Sequence, residues 1–292
     1  MSPYRVTQTE SGKAWEYGLA STFANLLNRT AFLVPNGPCA KSQKSYALLP
    51  QDERNRIDRA ASEAVLFLCD QDERLVNTES IVIQSDREGQ RGDVRDILLY
   101  TDKEVIGVSA KHRHDALKHP RLSDLIDFGS DWYGVPCSET YRSAIQPVFD
   151  DLRGRIGKWS DLPDKHDSYY IPILNAFMQE VNEYADPDKL LRYLLGRYDF
   201  YKIIKENGNI SLQSFNLNSH LEWGSRVPLP QQIVQFSMKP NSKTTAILHM
   251  DAGWQLSFRI HNAKSAIEPS LKFDVQLIGI PQVLSQHEIP FV

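Results

Sequence analysis

Three short β-rich runs stand close together in this chain, and they constrain its fold more than any other feature. Ser80–Gln84 (SIVIQ), Asp96–Tyr100 (DILLY) and Val105–Lys111 (VIGVSAK) are separated by polar turns. The first and third are rich in β-branched residues, the second is apolar, and all are too short for a helix, so together they predict a sheet meander. Helical patterns flank them. Ala14–Leu27 carries Trp15, Leu19, Phe23, Leu26 and Leu27 at helical spacing, with Ser11 as a candidate cap, and Gln51–Asp70 places Ile57, Ala60, Ala61, Ala64, Val65 and Leu68 on one stripe. Pro35–Pro38 reads as a loop between them. Further helices are expected at Leu122–Phe128, Ser138–Leu152, Tyr170–Tyr184 and Pro187–Arg197, the last capped by Asp186 with Pro187 in its first turn. From Ile210 onward strands return, and Thr244–His249 with Trp254–His261 forms the expected hairpin. The sum is an α/β (α+β) chain with a mixed central sheet flanked by helices and a strand-rich C-terminal region.

With 292 residues, 41% of them hydrophobic, the chain can bury a full core as one large domain or two intimate lobes. We expect a division at 1–155 and 156–292. Met1–Lys13 is polar, and the densest apolar run, Ala64–Cys69, is far too short to cross a bilayer, so no membrane association and a cytoplasmic location are expected. Cys39, Cys69 and Cys137 are odd in number and scattered, which suggests buried thiols rather than disulfides or a zinc cluster. A net charge of −4 argues against nonspecific coating of polyanions but leaves local asymmetry open. The segment Lys111–Arg121 supplies it, with four Lys or Arg and three His against Asp115 alone. A solvated charged face would look the same.

Hydrolysis of a phosphodiester needs a metal to polarise the phosphate and activate water, and a cation to stabilise transition-state charge. Asp96 opens one strand, and alternation puts Ser109 and Lys111 on one face of the next, with Val108 and Ala110 turned into the core. This layout resembles the PD-(D/E)XK nuclease core, in which the aspartate holds the metal and the lysine positions the attacking water. The departure is Ser109, which stands where a second acid is usual and is a poor Mg²⁺ ligand. Glu16 is the preferred replacement, Glu63 the second choice and Asp124 the third. An aspartate and an SxK tripeptide on adjacent strands also arise by chance, as a turn residue and a solvated edge lysine.

Longer blocks carry a closer resemblance. Asp93–Leu98 (DVRDIL), Val108–His114 (VSAKHRH), Ala116–Ser123 (ALKHPRLS), Ile126–Gly129 (IDFG), Trp132–Gly134 and Pro136–Ser138 together resemble HaeIII-type restriction endonucleases. So do Lys239–Thr245 (KPNSKTT) and Ser257–Ala263 (SFRIHNA), and the likeness runs from about residue 12 to 280. It implies a Mg²⁺-dependent type II enzyme that cuts double-stranded DNA within GGCC to blunt ends, with a cognate DNA methyltransferase acting on the same site. A palindromic target favours a homodimer. The expected catalytic set is Asp96, Ser109, Lys111 and Glu16, with metal held by Asp96 and by Glu16 or Glu63. Candidate DNA contacts are His112, Arg113, His114, Lys118 and Arg121 in the basic segment. In the C-terminal strands they are Lys239, Asn241, Lys243, Arg259, His261 and Asn262. Alternation places Leu256, Phe258 and Ile260 opposite Ser257, Arg259 and His261.

Three other readings weigh less. The histidine cluster invites a zinc or HNH-type site, but His112 and His114 fall on the face opposite Lys111 and no cysteine pair accompanies them. Ser109 lacks the Gly-x-Ser-x-Gly elbow of a nucleophile, and no phosphate-cradling glycine loop is present. The rival from another class is a noncatalytic DNA-binding or repair-associated protein with a degenerate nuclease fold, kept open by Ser109.

Overall fold

The computed structural model describes residues 7–27, 32–86, 88, 92–112 and 116–291. The chain divides into two compact units, one comprising Met1–Asp115, Arg197–Val227 and Gln282–Val292, the other Ala116–Gly196 and Pro228–Pro281. The first break thus falls after Asp115 rather than near 155, and the chain returns to the first unit twice. The physical reason is strand pairing: residues 200–215 and 286–290 complete the sheet begun by the N-terminal meander.

In the first unit, helix α1 (Gln8–Leu26) begins about one turn before the apolar pattern does. Its cap is Thr7, not Ser11, because Thr7 and Glu10 form a reciprocal capping box. Helix α2 (Gly37–Ala47) lies partly where the sequence reads as loop. Asn36 caps it by accepting from Cys39 N at 2.7 Å, and Pro38 occupies its first turn, where a missing N–H costs nothing. Helix α3 (Gln51–Gln71) buries the stripe its periodicity predicts.

The strands are β1 (Phe32–Leu33), β2 (Thr78–Ile83), β3 (Ile97–Thr101), β4 (Val105–His112), β7 (Phe200–Lys205), β8 (Asn209–Phe215) and β13 (Gln286–Pro290), paired in the order β1-β2-β3-β4-β7-β8-β13. The β1–β2 and β4–β7 pairs are parallel and the others antiparallel, so the sheet is mixed. The predicted meander is β2-β3-β4. Trp15, Leu19, Phe23, Ala60, Ala64 and Leu68 pack with Ile97, Leu99, Val108, Ala110 and Ile203 into one core.

In the second unit, β5 (Ala116–Lys118), β9 (Ile233–Met238), β10 (Thr245–Met250), β11 (Gln255–Asn262) and β12 (Leu271–Gly279) pair in the order β5-β12-β11-β10-β9, and β6 (Arg121–Leu122) also pairs with β12. The expected hairpin is β10–β11, closed by a short turn at Asp251–Gly253. The helix expected over Leu122–Phe128 is instead strand β6, a turn, and a five-residue helix α4 (Phe128–Trp132) capped by Asp127. Helices α5 (Glu139–Gly154), α6 (Ile171–Tyr184) and α7 (Pro187–Leu195) follow, with Ser138 and Asp186 capping α5 and α7. Phe177 on α6 is the hub of this core, with ring centroids 4.7 Å from Phe273, 5.1 Å from Phe128, 5.4 Å from Phe236 and 5.6 Å from Phe258. Among the described residues, no helix is long and apolar enough to cross a membrane. The three cysteines are unpaired, with Cys39 and Cys137 buried.

Candidate active site

Asp96 sits at the mouth of β3, where its backbone N–H donates to Val108 O at 2.8 Å and locks it opposite β4. Alternation then does what the sequence predicts. Val108 and Ala110 point into the core, so Ser109 and Lys111 point the other way. Three donors converge on Asp96 Oδ2: Ser109 Oγ at 3.1 Å, Ala110 N at 2.8 Å and Lys111 Nζ at 3.1 Å. Oδ1 is left without a hydrogen bond among the described residues. Asp96 and Lys111 side chains are each about a quarter exposed, while Ser109 is buried. Ser109 is therefore not a vacant ligand position but a donor that orients the aspartate.

Glu16, on the first half of α1, is buried beside this group. Lys13, one turn earlier, donates to both of its carboxylate oxygens at 3.1 and 3.0 Å, and Ser42 Oγ on α2 approaches at 3.4 Å. Burial, and then the Asp96 carboxylate, push Glu16 up to about 7 against the pull of Lys13 and Lys111. The Asp96 carboxylate thus stands close enough to Glu16 to hinder its ionisation. Burial works against the Lys13 ammonium, but Glu16 and Asp86 outweigh it and hold its pKa above the ordinary value. Asp86 takes Lys13 Nζ at 2.5 Å and Lys41 at 3.5 Å.

The segment that carries Asp96 is itself clasped. Arg95 donates to Asp93 at 2.7 Å through both Nε and Nη2, and its guanidinium lies 3.9 Å from the Tyr198 ring centroid. Its side chain crosses β4 at Gly107, where an added Cβ would stand 1.9 Å from Arg95 Cδ. Only glycine leaves that path open.

Other expected residues are placed differently. Glu63 is exposed on α3 and makes no hydrogen bond or ion pair with Asp96, Lys111 or Glu16. It faces solvent because Ala60, Ala61 and Ala64 take the buried stripe. Asp124 belongs to the second unit, where Arg153 and Gln146 hold it. Among the described residues, no three His, Cys, Asp or Glu side chains gather as a metal-ligand set. His112 ends β4, half-buried; Arg113 and His114 lie outside the described residues. The residues that sequence reasoning missed are Lys13, Ser42 and Asp86. The one available signal was the i,i+3 spacing of Lys13 and Glu16.

In the second unit, Lys118 donates to Tyr193 O at 3.0 Å and lies 3.5 Å from that ring's centroid, while Arg121 lies 3.4 Å from Ser270 Oγ and 3.6 Å from Glu268. Lys239, Asn241 and Lys243 are exposed between β9 and β10, with Lys243 paired to Asp167 at 2.9 Å. Asn262 donates to Lys264 O at the end of β11. Along β11, Leu256, Phe258 and Ile260 are buried, and Ser257, Arg259 and His261 occupy the opposite, more open face as expected. Burial, together with Lys272 and Arg259, holds the His261 pKa below its ordinary value.

A mixed sheet with helices packed on it, and an aspartate–lysine pair across two of its strands, is consistent with the restriction-endonuclease class. Comparison with known proteins narrows this. The model of the HaeIII restriction endonuclease family matches residues 12–281. The Type II restriction enzyme HaeIII of Haemophilus aegyptius is 36% identical over 97% of this chain and 98% of its own. The chain belongs to the HaeIII restriction endonuclease family and is a type II restriction endonuclease, a hydrolase of double-stranded DNA. No solved structure matches it significantly.

Proposed function

We propose that the enzyme uses Mg²⁺ to cut within GGCC, leaving blunt ends, with Asp96, Lys111, Ser109 and Glu16 as its catalytic set. The observation that carries this reading is the convergence of Lys111 Nζ, Ser109 Oγ and Ala110 N on one oxygen of Asp96, beside a second, buried carboxylate. The donor set suits magnesium, which keeps most of its waters and binds through one or two carboxylates plus substrate phosphate. Asp96 and Glu16 would hold it, and its charge would favour the ionised Glu16 carboxylate against burial and the charge of Asp96. When bound, the metal polarises the scissile phosphate and lowers the pKa of water. Lys111 supplies positive charge to the extra negative charge of the transition state and orients the attacking water. Ser109 keeps Asp96 in one rotamer, and Lys13 and Ser42 do the same for Glu16.

The first unit acts in this reading as the nuclease core. The second, through the open face of β11, reads base edges, with Arg259 contacting guanine O6 and N7. Two copies of the chain address the two halves of the palindrome, and a DNA methyltransferase of matching specificity protects the same site. Incubation with plasmid DNA tests the whole reading. Discrete bands that map to GGCC with Mg²⁺ and vanish with chelator support it, whereas retardation of the DNA without cutting at any divalent-cation concentration refutes it.

A further inference from the structure

The open face of the β11–β12 pair contains a second group with the chemistry of a base reader. Arg259 and Asp274 are direct partners in the strand register, so their side chains stand next to each other on that face. Arg259 Nη2 lies 3.5 Å from Asp274 Oδ2, an ion pair longer than a hydrogen bond, and the arginine side chain is 61% exposed. Gln276 Nε2 donates to the same Oδ2 at 3.3 Å. Asp274 Oδ1 is different: it is buried and has no hydrogen-bond partner among the described residues. His119 Nδ1 lies 3.7 Å from it on a half-exposed ring, beyond hydrogen-bond distance. Buried acceptors left unpaired are rare in native proteins, and one beside an exposed arginine points to an external donor.

We infer that Asp274 accepts a hydrogen bond from the cytosine amino group of a G·C pair whose guanine is contacted by Arg259. The inference rests on the recognition face proposed above. Across the major groove a G·C pair presents two acceptors, N7 and O6 of guanine, followed by one donor, N4 of cytosine. An arginine beside a carboxylate presents two donors followed by one acceptor, the complementary order. An A·T pair presents acceptor, donor, acceptor, then the thymine methyl group, so its amino group meets the guanidinium and its O4 meets the carboxylate. Reversing the G·C pair likewise sets cytosine N4 against the arginine. The pair therefore selects both the base pair and its orientation, which arginine alone does less well. Docking moves the His119 ring off Oδ1.

Substrate analogues test this on the unmodified enzyme. The site is first mapped by plasmid digestion, and duplexes are made in which each cytosine of that site is replaced singly by 2-pyrimidinone, lacking the amino group, or each guanine by 7-deazaguanine. At one cytosine position the wild type should lose about 10- to 100-fold in kcat/KM. Asp274→Ala should lose a similar factor on the unmodified duplex and no more than about threefold further on that analogue, because two removals of one contact are not additive. Equal wild-type rates on every cytosine analogue overturn the inference, with no mutant involved. It is also overturned if Asp274→Ala stays fully sensitive to the missing amino group but no longer senses 7-deazaguanine, since Asp274 then only holds Arg259. A mapped site other than GGCC refutes the site proposed above and leaves the pair to be tested on the G·C pairs actually present; a site without any overturns both.

Discussion

Glu16 should make the metal-free protein lose stability as the pH rises through neutrality. Its carboxyl is lifted from 4.5 to about 7, chiefly by burial and then by Asp96. Below pH 4.5 it is protonated in both folded and unfolded chains and costs nothing. Between 4.5 and 7 the unfolded chain releases the proton while the folded one keeps it, so the contribution to stability falls with pH and is fully lost above 7. At ~1.4 kcal/mol per pH unit, the span from 4.5 to about 7 amounts to roughly 3 kcal/mol. Glu16→Gln removes the titration but keeps the shape and leaves Lys13 its partner Asp86. Urea unfolding of both proteins in chelator, at pH 5, 6, 7 and 8.5, reads the effect of Glu16 and its contact with Lys13, because titrating groups away from Glu16 behave alike in both. The stability difference should shift by about 2 to 3 kcal/mol in favour of the variant between pH 5 and 8.5. A difference that stays constant across the series would refute the argument, since it would mean that Glu16 does not keep its proton on folding.

The remaining predictions concern the site and the sheet proposed to read DNA. Glu16→Gln should raise the Mg²⁺ concentration for half-maximal cleavage, whereas Glu63→Gln, exposed on α3, should not; a Mg²⁺ titration of the cleavage rate decides between them. Asp96→Asn should slow single-turnover cleavage by about 10²-fold or more while leaving GGCC binding near the wild-type level in a gel-shift assay. Arg259→Ala should cost about 1 to 3 kcal/mol of discrimination between GGCC and a one-base variant, and an equal loss on both with a reduced salt slope would make it a backbone clamp instead. Phe177→Ala should destabilise the second unit by about 3 to 5 kcal/mol, seen as an earlier unfolding transition, because five aromatic side chains pack on that ring.

The strands that carry the proposed site were legible because one physical rule generates them. Alternation along β4 sends Ser109 and Lys111 away from the core, and the turn before β3 brings Asp96 opposite, so a local pattern determines a tertiary contact. Glu16 was reachable only through the family resemblance, since nothing in its helix says which sheet edge it meets. Lys13, Ser42 and Asp86 were invisible for the same reason: their meeting depends on how α1 and α2 pack. Helix α2 was hidden by Pro35–Pro38, where asparagine and proline signal a loop and a helix start equally well. The helix expected after Leu122 failed because β6 gains more from pairing with β12, a partner about 150 residues away, than its local propensity offers. Asp274 carried no motif at all, and only the register of β12 against β11 places it beside Arg259.

Lys111 is the residue on which the catalytic reading depends most directly. Purified Lys111→Ala and wild type should be compared on one labelled GGCC duplex with Mg²⁺, following single-turnover cleavage and equilibrium binding in parallel. Cleavage slowed by about 10²-fold or more with binding within a few-fold of the wild type is the expected result, because in the proposed mechanism Lys111 stabilises charge that develops only in the transition state. Cleavage at the wild-type rate by a folded Lys111→Ala protein would contradict the assignment and move the active site away from Asp96.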